Sequence, residues 1–282
     1  MRFDGERRWA LALEMALQSD PDTFVTIAQD AMTRAEREGA ALAYGFVEAR
    51  HAGAVFPRLG WSSLGPATTL MRPLRLSAAA ERLKMPAAAR VLLPKTPLVL
   101  PFGRSRRPGV REITTRDPRV TRLWDRFSID VAVAIERNAN HIGPRIWDRP
   151  DADYRVLIFE DGDRYVIRAL CIFRLKAEAD GIYGHVVELL HDRSVAGMRA
   201  ASHLLGIALR EMSDAGAEAA LAWSLVHSGS FPLYARHAFL PVPRRLSGLD
   251  LHAGVRAFDP ALHPIVTERH HWYLSGLDFD DV

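Results

Sequence analysis

The stretch YRVLIFEDGDRYVIRALCIFRLKAEADGIYGHVVELLHDRSVAGMRAASHLLGIALREMSDAGAEAALAWSLVHSGSFPLYARHAF, residues 154–239, decides the fold. Two alternating runs flank Glu160-Asp161-Gly162-Asp163, the pattern of a hairpin with a tight turn. GIYGHVVELL adds a third strand from Gly181. From Gly197, GMRAASHLLGIALREM follows as an amphipathic helix with Met198, Ala201, Leu205, Ala208 and Met212 near one face. AEAALAW is a short apolar strand, and Tyr234 and Phe239 close the stretch with Ala238 between them. Three strands, helix, strand, short helix, strand is an α/β order, an α+β layered domain in which helices pack on a sheet.

Outside this stretch the composition is that of a globular chain. Of 282 residues, 48% are hydrophobic and 25% charged, which suits one large or two modest domains. No run reaches the roughly 20 apolar residues that span a bilayer, and MRFDGERRWA leads into no signal-peptide pattern. The single cysteine, Cys171, sits in a strand-like run and reads as a small buried hydrophobe in a reducing, cytoplasmic setting. A formal charge of +3 gives no reason to expect a specific nucleic-acid partner. Arginines do gather between Gly103 and Phe127, where a solvated linker is the expectation and an anionic partner the alternative.

The N-terminal residues 1–76 read as a shorter lobe. RRWALALEMALQ is a strand or a helix start. Asp20-Pro21-Asp22-Thr23 then caps a helix whose apolar face is Phe24, Ile27, Ala28, Ala31 and Ala35, stopped by Gly39. A strand from Ala41 to Phe46, a helix ending at Gly60 and the strand ATTLMRPLRL complete it. The two lobes echo one another: Gly39 precedes a strand whose following helix ends Phe56-x-x-x-Gly60-Trp61, and Gly216 precedes one whose helix ends Tyr234-x-x-x-Ala238-Phe239. Between the lobes, residues 77–120 form a connector punctuated by Pro94, Pro97, Pro101 and Pro108, an extended crossing segment. The second lobe, 121–282, opens with helical pieces interrupted at Gly143-Pro144 and includes a late strand, HAGVRAF.

LAYGF, LGW and MRPL in the first lobe, with ERNANHIGPRIWDRPDADYRVLIFEDGDR and the terminal WYLSGLDFD in the second, resemble the Gcn5-related N-acetyltransferase (GNAT) superfamily. They resemble most the bacterial two-lobe proteins associated with surface-polysaccharide biosynthesis. The resemblance implies an acyl-CoA N-acyltransferase-like fold in tandem, with the first lobe incomplete because sequence for its early strands is missing. An unpaired sheet edge would then favour a homodimer. It also implies acetyl-CoA or another acyl-CoA as cofactor, its diphosphate held by backbone N–H groups at a helix N-terminus. In HDRSVAGMRA the matching positions are Arg193, Ala196 and Gly197, with alanine where the family's first glycine stands. The first lobe has Asp20 and Asp22 at that place, which would repel a diphosphate.

For acyl transfer the amine must lose a proton and the CoA thiolate gain one. Tyr234 matches the family's thiolate acid, whereas the first lobe has Phe56 there. Glu188 is the candidate base, with His191 as substitute or helper. The backbone of Ala222, Trp223 and Ser224 would contact pantetheine where the sheet splays. Ser224, His227 and Ser228 lack the G-x-S-x-G elbow of a hydrolase. His263, His270 and His271, with Glu268, Asp278, Asp280 and Asp281, match no familiar zinc spacing, so no metal site is expected. Two functions stay open: acyl-CoA-dependent N-acylation of an amine on a small molecule or sugar precursor, and a catalytically degenerate protein that serves as a binding or structural partner.

Overall fold

Two glycines with left-handed backbone, Gly39 (φ 87°) and Gly216 (φ 89°), stand at the same point in two copies of one structural repeat. The computed structural model describes residues 1–3, 5–14, 20–75, 108–149, 153–162, 165–179, 181–242 and 250–279. Most of the proline-rich connector, the first arginines of the basic run, Asp280 and Asp281 lie outside the described residues. Two compact units are assembled from separate segments, the first from 1–68, 130–136 and 243–274, the second from 69–129, 137–242 and 275–282.

In chain order, β1 (Arg2–Phe3), β2 (Glu6–Arg7) and β3 (Ala10–Glu14) precede α1 (Pro21–Arg37), β4 (Leu42–Glu48), α2 (Ala49–Leu59), β5 (Ser62–Pro66) and β6 (Thr69–Pro73). After the connector come β7 (Val110–Glu112), α3 (Arg119–Phe127), β8 (Val133–Ala134), α4 (Ala139–Ile146) and β9 (Tyr154–Asp161). The long strands β10 (Val166–Glu178) and β11 (Gly181–His191) lead into α5 (Val195–Asp214), β12 (Ala219–Trp223), α6 (Phe231–Arg236) and β13 (Leu240–Pro241). The chain finishes with β14 (Leu251–Ala257), α7 (His263–Val266) and β15 (Trp272–Tyr273). RRWALALEMALQ therefore supplies a strand, and the hairpin, third strand and long helix of the 154–239 stretch form as the pattern predicts.

The repeat is literal in its hydrogen bonds. At the end of α1, Gly39 N–H reaches Glu36 O at 3.1 Å and Ala40 N–H reaches Ala35 O at 2.9 Å; after α5 the same pair is Gly216 to Ser213 at 3.0 Å and Ala217 to Met212 at 2.9 Å. The helices that follow end alike. Trp61 N–H bonds Phe56 O at 2.8 Å across Gly60 (φ 64°), and Phe239 N–H bonds Tyr234 O at 3.0 Å across Ala238 (φ 57°). Each left-handed turn folds the second aromatic onto the first, with ring centroids 5.7 Å apart for Phe56–Trp61 and 5.3 Å for Tyr234–Phe239. Strand pairing repeats too: β3 is parallel to β4, and β11 to β12.

The last strand of each copy is exchanged. β6 follows the first copy in sequence yet pairs between β12 and β13, and β14 follows the second copy yet pairs between β4 and β5. The sheets accordingly run β3-β4-β14-β5 and β13-β6-β12-β11-β10-β9-β7. HAGVRAF, read as part of the second lobe, thus completes the sheet of the first unit, and MRPL that of the second.

In the first unit α1 and α2 pack Phe24, Val25, Ala28, Met32, Ala52, Val55 and Leu59 against Ala43 and Val47 of β4. The face of α1 is rotated from the sequence expectation: Val25 and Met32 are inside, while Ile27 is 63% exposed. In the second unit Ala201, Leu205, Ala208 and Met212 of α5 are buried on the sheet, and Met198, expected with them, is 37% exposed. The interruption expected at Gly143-Pro144 does not occur. α4 runs through it, because Asn138 caps His141 N–H at 2.9 Å and Ile142 and Ile146 are buried, which outweighs the one backbone bond that proline forgoes.

Candidate functional site

In the second unit β11 and β12 pair only from Tyr183–Ala219 to Val186–Ala222. β11 then continues to His191 while β12 ends at Trp223. On its other side β11 carries a bulge: Phe173 pairs with Val186 and Ile172 with Glu188, leaving Val187 as the extra residue. A bulge bends and twists the strand locally, so the two parallel neighbours diverge from this point, and Glu188, Leu189, Leu190 and His191 line the divergence.

Glu188 is fully buried and held there. Its Oε2 accepts Arg137 Nε at 2.7 Å and Ser275 Oγ at 2.8 Å, and its Oε1 accepts the N–H of Leu189 at 2.9 Å. Arg137 also donates from Nη2 to Asp278 Oδ2 at 2.5 Å and to Ser275 Oγ at 3.2 Å. The turn Gly276–Asp278 is closed by its own capping box, Ser275 N–H to Asp278 Oδ2 at 2.9 Å and Leu277 N–H to Ser275 Oγ at 3.3 Å. Phe279 then stacks on Trp223, centroids 5.2 Å apart, and Arg137 lies over Trp124 at 5.8 Å. The C-terminal segment thus lies against both strands at their divergence. One guanidinium faces two carboxylates with no solvent, and burial pushes the Asp278 carboxyl above its usual range despite Arg137.

The turn entering α5 is also satisfied from within. Asp192 Oδ1 accepts Ser194 N–H at 3.1 Å and Ser194 Oγ at 2.5 Å; Oδ2 accepts Arg168 Nη1 at 2.8 Å. Burial opposes ionisation of Asp192, but the hydrogen bonds of Ser194 and Arg168 outweigh it and hold the carboxyl below its usual range. Ser194 caps α5 by accepting Gly197 N–H at 2.9 Å. A Cβ on Gly197 would stand 2.0 Å from Asp192 Oδ1, so this glycine makes room for the chain's own carboxylate. Arg193, in left-handed backbone (φ 64°), donates from Nε to Phe127 O at 2.8 Å and covers the Phe127 ring at 4.7 Å. Ala196 is exposed on the first turn.

His191 is 1% exposed. Arg193 N–H donates to its Nδ1 at 3.1 Å, so the ring proton sits on Nε2, which faces Gly229 O at 3.3 Å. Burial lowers its pKa, and the ring is neutral with both nitrogens engaged. Tyr234 is buried in the main core with Phe239, its hydroxyl pKa pushed well above the usual value by burial and by Glu188. Ala222 pairs with Val186 on one side and Leu70 on the other, Trp223 pairs with Thr69, and Ser224 Oγ turns to Leu225 O at 3.3 Å. Leu189 O accepts Ser230 Oγ at 2.6 Å. The structure brings Glu188, His191 and Arg193 to one strand end, while Tyr234 stays in the core. Arg137, Ser275, Asp192 and Arg168 were not singled out by the sequence; S-G-L-D at 275–278, a capping-box spacing, was the one available sign.

No family model matches the chain, and no curated protein matches it either. Solved structures do. N-myristoyltransferase of Saccharomyces cerevisiae with bound myristoyl-CoA superposes with a TM-score of 0.56 at 14% identity, over 85% of this chain and 59% of that one. A probable N-acyltransferase of Enterococcus faecalis gives 0.52 at 10%, over 92% and 56%. A GCN5-related N-acetyltransferase of Anabaena variabilis gives 0.50 at 8%, over 87% and 53%. The fold is GNAT-like. This chain spans between half and two thirds of the length of those proteins, and at such identities the likeness concerns the fold.

The fold family implies an acyl-CoA, and the described residues at the entry to α5 do not fit its diphosphate. The helix N-terminus that would receive two phosphates already holds the Asp192 carboxylate, a fixed negative charge at the end where the helix dipole favours an anion. Arg193, the cation expected to help, is turned toward Phe127, with Nε on the Phe127 carbonyl and the guanidinium over its ring. Among the described residues no group of three or more histidine, cysteine or acidic side chains is placed to hold a metal ion, and no helix is long and apolar enough to cross a membrane.

Proposed function

We propose that this chain is a binding or structural partner built on the acyltransferase fold and does not transfer acyl groups from CoA. The observation that carries this is the Asp192 carboxylate at the α5 N-terminus, held by Ser194 and Arg168. The candidate acid and base support it: Tyr234 is a core residue, Glu188 is locked to Arg137, and neutral His191 has no free lone pair for a substrate proton.

The divergence of β11 and β12 favours a second reading, acyl-CoA-dependent N-acylation of an amine on a small molecule or a sugar precursor, the latter suggested by the likeness to two-lobe proteins of polysaccharide biosynthesis. Calorimetric titration with acetyl-CoA and desulfo-CoA separates the two. The expected result is no binding heat up to millimolar ligand in protein whose circular dichroism is that of a folded chain. Micromolar binding that Arg193→Ala weakens tenfold or more would overturn the proposal and place a working cofactor site at the α5 turn.

A further inference from the structure

One row of side chains crosses the second sheet from strand to strand. Tyr154 of β9 pairs with Arg174 of β10, and Arg174 with His185 of β11. His185 pairs in turn with Leu221 of β12, Leu221 with Met71 of β6, and Met71 with Leu240 of β13. Directly paired residues share a face, with Cβ atoms about 4.5–5.5 Å apart across an antiparallel pair. The residues beside them along the strands, among them Phe173, Val186, Ala220 and Leu70, lie in the α5 core, so the row faces the opposite side. Beyond the bulge at Val187 that side is filled by Glu188 with Arg137 and Ser275. Before the bulge it is open: Tyr154, Arg174, Leu221 and Met71 are partly exposed, and Leu240 is 67% exposed.

The middle of the row is polar and unsatisfied. His185 is 9% exposed and its Nε2 is buried without a hydrogen-bond partner; Nε of Arg174, directly across from it, is in the same state. Arg174 lies over the ring of Tyr154 at 5.1 Å, and among the described residues it makes no ion pair. Burial, then Lys176, then Arg174 lower the His185 pKa to about 3, so the imidazole is neutral and offers one N–H. Neighbouring donors that have lost water and found no acceptor, in a positive field, suit an anion. The far arm of the row is apolar. From His185 it runs over Leu221 and Met71 to Leu240, three strand spacings or about 14 Å. Backbone groups of β12 and β6 along this arm are taken by the flanking strands, so a peptide would find no main-chain partner there. We propose that Arg174 and His185 bind the carboxylate of an aliphatic acid whose chain lies across Leu221, Met71 and Leu240. The carboxylate accepts from the guanidinium and the imidazole, and charge assistance strengthens the first of these bonds. This site lies apart from the α5 turn and holds whether or not that turn takes CoA.

The test is isothermal titration of the full chain with sodium decanoate, sodium acetate and decanol, with circular dichroism to confirm that each variant is folded. Decanoate should bind at micromolar concentration. Arg174→Gln, which removes the charge at the head, and Leu240→Glu, which makes the exposed end of the apolar arm polar, should each weaken it at least tenfold. Acetate has the charge without the chain and decanol the chain without the charge, so each should bind at least tenfold more weakly than decanoate. Absence of decanoate binding, or equal affinity in the wild type and folded Arg174→Gln, overturns the site. Acetate as tight as decanoate, or an unchanged affinity in Leu240→Glu, overturns the place given to the chain; decanol as tight as decanoate overturns the place given to the carboxylate.

Discussion

Replacing Arg137 by methionine should lower stability at neutral pH by about 3–5 kcal/mol, the cost of breaking a buried ion pair by removing one partner. Arg137 is fully buried and is the cation that the structure sets between Glu188 and Asp278. Without it two carboxylates face each other in the core, and Ser275 can satisfy only part of either. The loss should depend on pH. Burial already raises the Asp278 pKa, and its protonation removes a stranded charge, so the difference between wild type and Arg137→Met should shrink as pH falls. Urea unfolding followed by tryptophan fluorescence reads this directly, since Trp124 lies under the guanidinium.

Asp278→Asn tests the other arm of the same network. The folded-state pKa of Asp278 is raised above its unfolded value. Its contribution to stability is therefore fully present below the unfolded pKa and declines as pH rises through the folded one. Asparagine keeps the shape and cannot ionise, so the variant should lose that decline while remaining folded. A wild-type profile indistinguishable from that of Asp278→Asn, or an Arg137→Met variant within 1 kcal/mol of wild type, would show that the network is not the anchor of the C-terminal segment.

Much of this fold was legible because its signals are local. Helix α1 announces itself by Asp20 and Gly39, and the repeat by Phe56, Gly60 and Trp61 against Tyr234, Ala238 and Phe239, all within a few residues of the turns they make. The strand exchange is not local. Nothing in TLMRP or LHAGVRA says which parallel pair each will join, because partners such as Leu70 and Ala222 are far apart in sequence. Ile27 and Val25 show the limit of periodicity: two residues apart on a helix, both apolar, and only packing decides which goes inside. The α5 turn was read for the glycines of a phosphate loop, and Gly197 drew attention for that reason. Asp192, which lies against it in the fold, carries the proposal made here, and a carboxylate that folds back onto its own helix looks in sequence like any surface acid. Arg137 is the same case, ordinary in ERNANH until residues 188 and 278 arrive on either side.

Gly45→Ala should destabilise the first unit by about 1–3 kcal/mol or more, the range of overpacking in a filled interior, although it adds a single methyl group. Gly45 lies on β4 opposite Leu13 of the parallel strand β3 and opposite Gly254 of β14. A Cβ there would stand 1.9 Å from the carbonyl oxygen of Leu13 and 2.8 Å from the indole of Trp61. The first obstacle is backbone, which cannot rotate away, so β3 must part from β4 or the sheet must shift. Gly254 carries the same restriction from the other strand, 2.6 Å from Trp61 and 2.9 Å from Phe56, so the paired glycines form the floor on which the aromatic turn of this repeat rests. Gly53 makes the control. It is exposed in α2, a Cβ meets nothing within 4 Å, and Gly53→Ala should stabilise by roughly 0.5–1 kcal/mol through helix propensity alone. Urea midpoints for the two alanine variants should therefore move in opposite directions from wild type. A shift in Gly45→Ala as small as that in Gly53→Ala would mean that β3 approaches β4 less closely than the register requires. The edge strand β3 would then have room beside Gly45 that the packing of Trp61 denies it.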